Sequence, residues 1–286
     1  MSFLTIDQRK TVKSYLNYIY YLFSKKIFLF GVAVYLAEVV SLKSVLAFLL
    51  FCFNYVSVYF GNDFIDRRSD CRREFILNYK LQIPENYLLY LCIAHLTLPF
   101  IALLVIDFKL AVASLLISTF AILRSYLRKP AIREITLFVL QIMQLFIMFE
   151  MLGATKVFFE YFYLLVSFSL LYTAAYYFQK SVEKGESLQK TVVYFVAIVF
   201  TNVLAFIEVD DMLLLLYDVF SIPFFVYLRK LWIQRVSENS TYCRLTSAKH
   251  LLLLAGGIVL IILGVFHVKF AHSLVVHFRN KLLFSA

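Results

Sequence analysis

Apolar runs alternate with short polar stretches along this chain, and each run predicts a helix. They fall near residues 27–42, 44–60, 86–106, 110–123, 135–153, 157–178, 191–207, 212–228 and 250–268. Several are shorter than the roughly 20 residues that a bilayer core demands, so polar helix ends are expected to extend them. The second run is expected to continue as helix into the polar stretch behind it. Asp107-Phe108-Lys109 reads as a tight turn, and Glu208, Asp210 and Asp211 mark another. Before the first run, Tyr15, Leu16, Ile19, Tyr20 and Leu22 interleave with polar and basic positions, the pattern of an interfacial amphipathic segment. The expected organisation is an interfacial segment over 1–26, a transmembrane catalytic domain over 27–268 and a surface tail over 269–286. The fold class is all-α, a polytopic membrane protein with about nine transmembrane helices. No strand alternation, glycine-rich nucleotide loop or heptad pattern competes with it, and Gly256-Gly257 reads as a close-packing point.

Composition agrees with a membrane solvent. Hydrophobic residues make up 62% and charged residues 16%, mean hydropathy is +0.82, and the 31 Phe and 20 Tyr supply bulk and interfacial anchors. A net charge of +10 would suggest nucleic acid in a soluble protein; here it implies loops facing anionic lipid, with membrane lipids rather than nucleic acid as partners. With nine spans, 22 of the 28 Lys and Arg fall on one side of the membrane. The opposite side holds only Lys43, Lys109, Lys156, Lys269, Arg279 and Lys281. The positive-inside rule then puts the N-terminus in the cytoplasm and the C-terminus outside, and a bacterial inner membrane is the expected location. The charged residues of 1–26 do not read as a secretory signal, and Cys52, Cys71, Cys92 and Cys243 lack metal-ligand spacing.

Candidate chemistry concentrates behind the second run, in Gly61-Asn62-Asp63-Phe64-Ile65-Asp66-Arg67-Arg68-Ser69-Asp70-Cys71-Arg72-Arg73. Spacings of three and four put Asp63, Asp66 and Asp70 on one helical face, about one turn apart, with the Asn62 amide beside them. Three close carboxylates repel, and a divalent cation removes the repulsion. Mg²⁺ is the natural cofactor, because it takes oxygen ligands and bridges to phosphate. Arg67, Arg68, Arg72 and Arg73 are placed to contact phosphate, although basic residues in this loop are also expected from topology alone.

A second polar stretch, 124–134, is expected to face the aspartates. There Arg128, Lys129 and Arg133 would contact phosphate and Tyr126 would line a wall or hydrogen bond. The stretch 179–190 offers Lys180, Glu183, Lys184 and Glu186. Glu183 is a candidate for a second metal, and Glu186 reads more simply as a surface pair with lysine. Glu38, Glu150 and Asp218 lie in or near spans, where a carboxylate normally faces a polar cavity or a partner. Asn54, His95 and Asn202 read as hydrogen bonds between helices.

On the stretch Asn62 to Asp70, the chain resembles the UbiA superfamily of intramembrane prenyltransferases, whose first motif is NDxxDxxxD placed after the second span. The resemblance covers about residues 14–268 and implies a UbiA-like helical bundle. It also implies that Asn62, Asp63, Asp66 and Asp70 bind Mg²⁺ and the diphosphate of an isoprenoid donor. Tyr126 and Lys129 look like the tyrosine and lysine of the loop after the fourth helix. The second family motif, DxxxD after the sixth helix, departs: Tyr177 and Ser181 stand where its aspartates belong. Lys180-Ser181-Val182-Glu183 is instead similar to a Lys-x-x-Glu pattern in polyprenyl-phosphate phosphoribosyltransferases, a branch with the same first motif. The resemblance thus implies prenyl transfer to an aromatic or lipid acceptor. The alternatives are phosphoribosyl transfer to a polyprenyl phosphate, a terpene cyclase, or a non-catalytic lipid-binding member. A transporter is disfavoured by the lack of a clear internal repeat.

Overall fold

The computed structural model describes residues 6–70, 83–127, 129–184, 188–208, 220–227, 229–230 and 239–266. Their long elements are helices: α1 Ile6–Ala37, α2 Leu42–Asp70, α3 Glu85–Ile106, α4 Phe108–Leu123, α5 Pro130–Met151, α6 Thr155–Glu160, α7 Phe162–Lys184, α8 Leu188–Glu208 and α9 Asn239–Val265. A 3-10 turn, Arg124–Tyr126, follows α4, and residues 220–227 are helical. Six helices among the described residues are long and apolar enough to cross a membrane, namely α1 to α5 and α8. The apolar parts of α7 and α9 are shorter, Phe162–Phe178 and His250–Val265. The protein is therefore an all-α, polytopic membrane bundle.

Local chemistry sets the helix ends. Ser41 and Ser44 exchange reciprocal bonds at the start of α2, each backbone N–H donating to the other's hydroxyl, at 2.9 and 3.1 Å. Asp107 ends α3 with its N–H on the Leu103 carbonyl and caps α4 by accepting from the N–H groups of Lys109 and Leu110, at 3.0 and 3.2 Å. Pro130 opens α5, where its missing N–H costs nothing. After α5 the chain turns through Gly153 at φ +67, a backbone geometry that suits glycine.

The bundle is organised around α1 and α2. α1 lies along α9, and α2 packs most extensively on α3. The α1–α9 seam depends on glycine. A Cβ at Gly257 would stand 2.7 Å from the Ile27 carbonyl, and one at Gly264 would stand 2.6 Å from the Val34 oxygen. Gly31 on α1 meets the Gly257 backbone equally closely. Gly257 is thus the close-packing point expected of it, while Gly256 faces only the Phe28 ring at ordinary distance.

Several boundaries differ from those expected. The first helix runs unbroken through the segment read as interfacial, and Tyr18, Leu22, Ser24 and Lys26 on it are buried. Lys25-Lys26 looks like a membrane edge in the sequence, yet both lie inside the span Thr11–Ala37 and Lys26 is only 4% exposed. α2 does continue through the aspartate stretch, as expected. α5 begins at Pro130 rather than near 135. The expected sixth helix is divided into α6 and α7 at Tyr161, whose ψ of 31 leaves the helical range. Of the expected eighth helix, Asp218 and its neighbours lie outside the described residues, as do residues 267–286.

Candidate functional site

Asn62 and Asp63 lie in the last third of α2, just inside the end of its apolar span Leu42–Ile65. Gly61 precedes them. A Cβ there would come within 3.1 Å of the Ile122 side chain and 3.2 Å of the Cys92 sulfur, so glycine lets α2 sit close to α3 and α4 beside the motif. Asp63 is buried at 6% exposure, and its Oδ2 accepts a hydrogen bond from the Tyr18 hydroxyl on α1. The Asn62 Oδ1 accepts from the Ser125 hydroxyl at 2.6 Å, which ties α2 to the 3-10 turn. A phenolic donor to a carboxylate is a charge-assisted bond, and it holds the Asp63 carboxyl group in one orientation.

Just beside this pair, Tyr15 stacks on Phe60 with 5.9 Å between centroids, and Tyr18 packs on Phe60 at 5.2 Å. The His95 Nδ1 is 3.0 Å from the Phe53 carbonyl, which can only accept, so the proton resides there and Nε2 accepts from the Tyr15 hydroxyl at 3.0 Å. Asn54 donates to the Leu96 carbonyl and accepts from Ser114 and Ser118, joining α2 to α3 and α4. Asn202 accepts from Ser167 at 2.5 Å and donates to Ser221. All three residues act between helices, as their polar character in apolar runs predicts.

The 3-10 turn brings a further cation. Arg124 stands 4.9 Å over the Tyr176 ring on α7 and donates to the Arg133 carbonyl at 3.4 Å. Glu134 on α5 pairs with Lys190 at 2.9 Å and accepts from the Tyr194 hydroxyl at 3.1 Å, both on α8. Lys190 lies 5.4 Å over the Tyr177 ring, which stacks on Tyr194. The motif end of α2, the turn after α4 and the ends of α7 and α8 therefore converge. Tyr177 is buried in an aromatic stack with Tyr194.

Tyr126 and Lys129 are exposed, and the buried Arg133 Nε lacks a hydrogen-bond partner. Asp66, Arg67 and Asp70 lie on α2, and Lys180 and Glu183 lie on α7. The side chains of those five fall outside the described residues, as does Arg128. Among the described residues, no three His, Cys, Asp or Glu side chains converge on a metal position. The donor chemistry nevertheless fits a hard cation. α2 is helical through Asp70, so positions 63, 66 and 70 share a face, and Asp63 and Asn62 supply oxygens.

Sequence reasoning weighed Arg124 as a phosphate contact but missed its stacking on Tyr176, and it missed Tyr18, Ser125 and the Glu134–Lys190 pair. Each depends on a partner far away in the chain, and only the excess of Tyr in apolar runs hinted at them. No family model, curated protein or solved structure matches this chain.

Proposed function

We propose that this chain is an Mg²⁺-dependent intramembrane transferase of the UbiA type, which moves a prenyl group from a prenyl diphosphate to an acceptor. The observation that carries the reading is the aspartate stretch on one continuous helix, with its first carboxylate buried and held by Tyr18. In this reading nine helices span the membrane, with the N-terminus and the aspartate stretch cytoplasmic.

Mg²⁺, when bound, would neutralise the diphosphate and assist its departure. Asp63, Asp66 and Asp70 would hold it, with Asn62 oriented beside them by Ser125. Arg67, Arg128, Lys129 and Arg133 are the cations assigned to the diphosphate, and Lys180 and Glu183 would border it from α7. The C1–oxygen bond of the donor breaks and its electron pair leaves with the diphosphate. The acceptor nucleophile forms the new bond to C1 and gives up a proton. Aromatic side chains along the helices would suit the cationic carbon that develops between these events.

The test is product formation by purified protein in lipid with Mg²⁺, with prenyl diphosphate and phosphoribosyl diphosphate each offered as donor. A prenylated product that disappears in Asp63→Ala supports the reading. A phosphoribosylated lipid moves the chain to phosphoribosyl transfer, and turnover equal to wild type in Asp63→Ala removes the metal role.

A further inference from the structure

Three cations face the inside of the bundle, two from the middle of α1 and one, Arg124, from the 3-10 turn next to the aspartate end of α2. The Lys26 Nζ donates to the Gln144 Oε1 and stands 4.2 Å over the Tyr55 ring, and Gln144 donates in turn to the Tyr55 hydroxyl at 2.9 Å. Its neighbour Lys25 lies 5.9 Å over the Tyr172 ring. Arg124 covers Tyr176, one helical turn from Tyr172 on α7. Lys25 and Arg124 thus meet rings one turn apart on α7, and Lys26, next to Lys25 on α1, meets Tyr55 on α2.

Among the described residues, no carboxylate pairs with any of the three. Lys43 with Asp107 and Lys190 with Glu134 are ion pairs elsewhere in the bundle. Ring faces and amide oxygens soften a positive charge without cancelling it. A cation in the middle of a spanning helix is costly until an anion meets it, and such residues commonly mark a substrate site. Lys25 remains partly exposed, so a ligand atom can reach it.

We propose that Lys25, Lys26 and Arg124 form a second site, independent of metal, that holds a carboxylate or phosphate oxyanion carried on an apolar molecule. Two ammonium groups and a planar guanidinium match an anion with several oxygens. The walls of Tyr55, Tyr59, Tyr172 and Tyr176 match an apolar body. Tyr55 precedes Asp63 by eight residues on α2, so the Lys26 end of this site lies about 12 Å along the helix from Asp63, while Arg124 lies at its near end. This deepens the reading above and rests on it in one respect: the bound molecule is there the acceptor, its anionic group anchored at Lys25 and its nucleophile directed toward the aspartate end.

The test is equilibrium binding to full-length protein in nonionic detergent with EDTA present, so that metal-dependent binding at Asp63 contributes nothing. Labelled farnesyl phosphate is the probe, and farnesol, palmitate and inorganic phosphate are competitors. Farnesyl phosphate is expected to bind at least about tenfold more tightly than farnesol, and Lys25→Gln and Arg124→Gln each to weaken it about tenfold at unchanged melting temperature. Competition by palmitate identifies a general oxyanion site, and its failure restricts the site to lipid phosphates. Equal binding of farnesol, equal competition by inorganic phosphate, or wild-type affinity in folded Lys25→Gln would overturn the proposal. Lys26→Met provides a second variant without the buried charge. Loss of transfer in Asp63→Ala with farnesyl phosphate binding intact would separate this site from the metal site.

Discussion

The Tyr18 hydroxyl donates to the Asp63 carboxylate across 45 residues of sequence. It joins the first helix to the first member of the aspartate stretch, and it makes Tyr18 a positioning residue for whatever Asp63 binds. Tyr18→Phe keeps the ring that packs on Phe60 and removes only the donor. The half-saturating Mg²⁺ concentration for turnover is expected to rise about tenfold, with a smaller change in rate at saturating Mg²⁺. An unchanged Mg²⁺ dependence would reduce Tyr18 to a packing role.

Gln144 gives the buried Lys26 ammonium its oxygen partner. Gln144→Leu leaves that charge with only the Tyr55 face and is expected to destabilise the protein by about 2–4 kcal/mol. Adding Lys26→Met removes the orphaned charge and should recover much of the loss. Thermal unfolding of the two single variants and the double variant measures the coupling, and simple additivity would show that the pair does not interact.

Gly257 meets the Ile27 backbone, which cannot move aside as a side chain can. Gly257→Val is expected to push α9 away from α1 at a cost of about 1–3 kcal/mol or more. Gly153→Ala adds a Cβ that nothing opposes in space, so its cost comes from the positive φ alone and is expected to be about 1 kcal/mol. Melting temperatures of the two variants rank the effects, and an equal or reversed order would contradict the seam.

Asp107 sits in the turn outside the spans. The Leu110 backbone N–H is the main influence holding its carboxyl below the usual range, and Lys43 adds to it. A lowered folded value means that the stabilisation is complete above the unfolded value of about 3.9 and is lost as pH falls through the folded one. Asp107→Ala is therefore expected to cost about 1 kcal/mol at neutral pH. The gap between wild type and variant should close only below about pH 4. A gap that persists unchanged in stronger acid would mean that ionised Asp107 is not the cap.

Much of this molecule could be read from local pattern. Apolar run length set the existence and approximate place of the helices, because a bilayer demands about 20 apolar residues whatever surrounds them. The spacing of Asp63, Asp66 and Asp70 put them on one face as soon as α2 was helical, since helical geometry is itself local. Asp107 marked the turn between α3 and α4 through chemistry within a few residues, whereas Pro130, read as part of a polar stretch, turned out to open α5. Tertiary structure decided what local pattern could not. Lys25-Lys26 has the sequence signature of a membrane edge, and only Gln144, Tyr55 and Tyr172, brought in from other helices, make the interior tolerable for it. Tyr18 looks like any interfacial tyrosine until Asp63 is placed opposite it. A helix exposes its own periodicity in sequence, but the identity of the facing helix depends on packing across the bundle, as at Gly257 against Ile27.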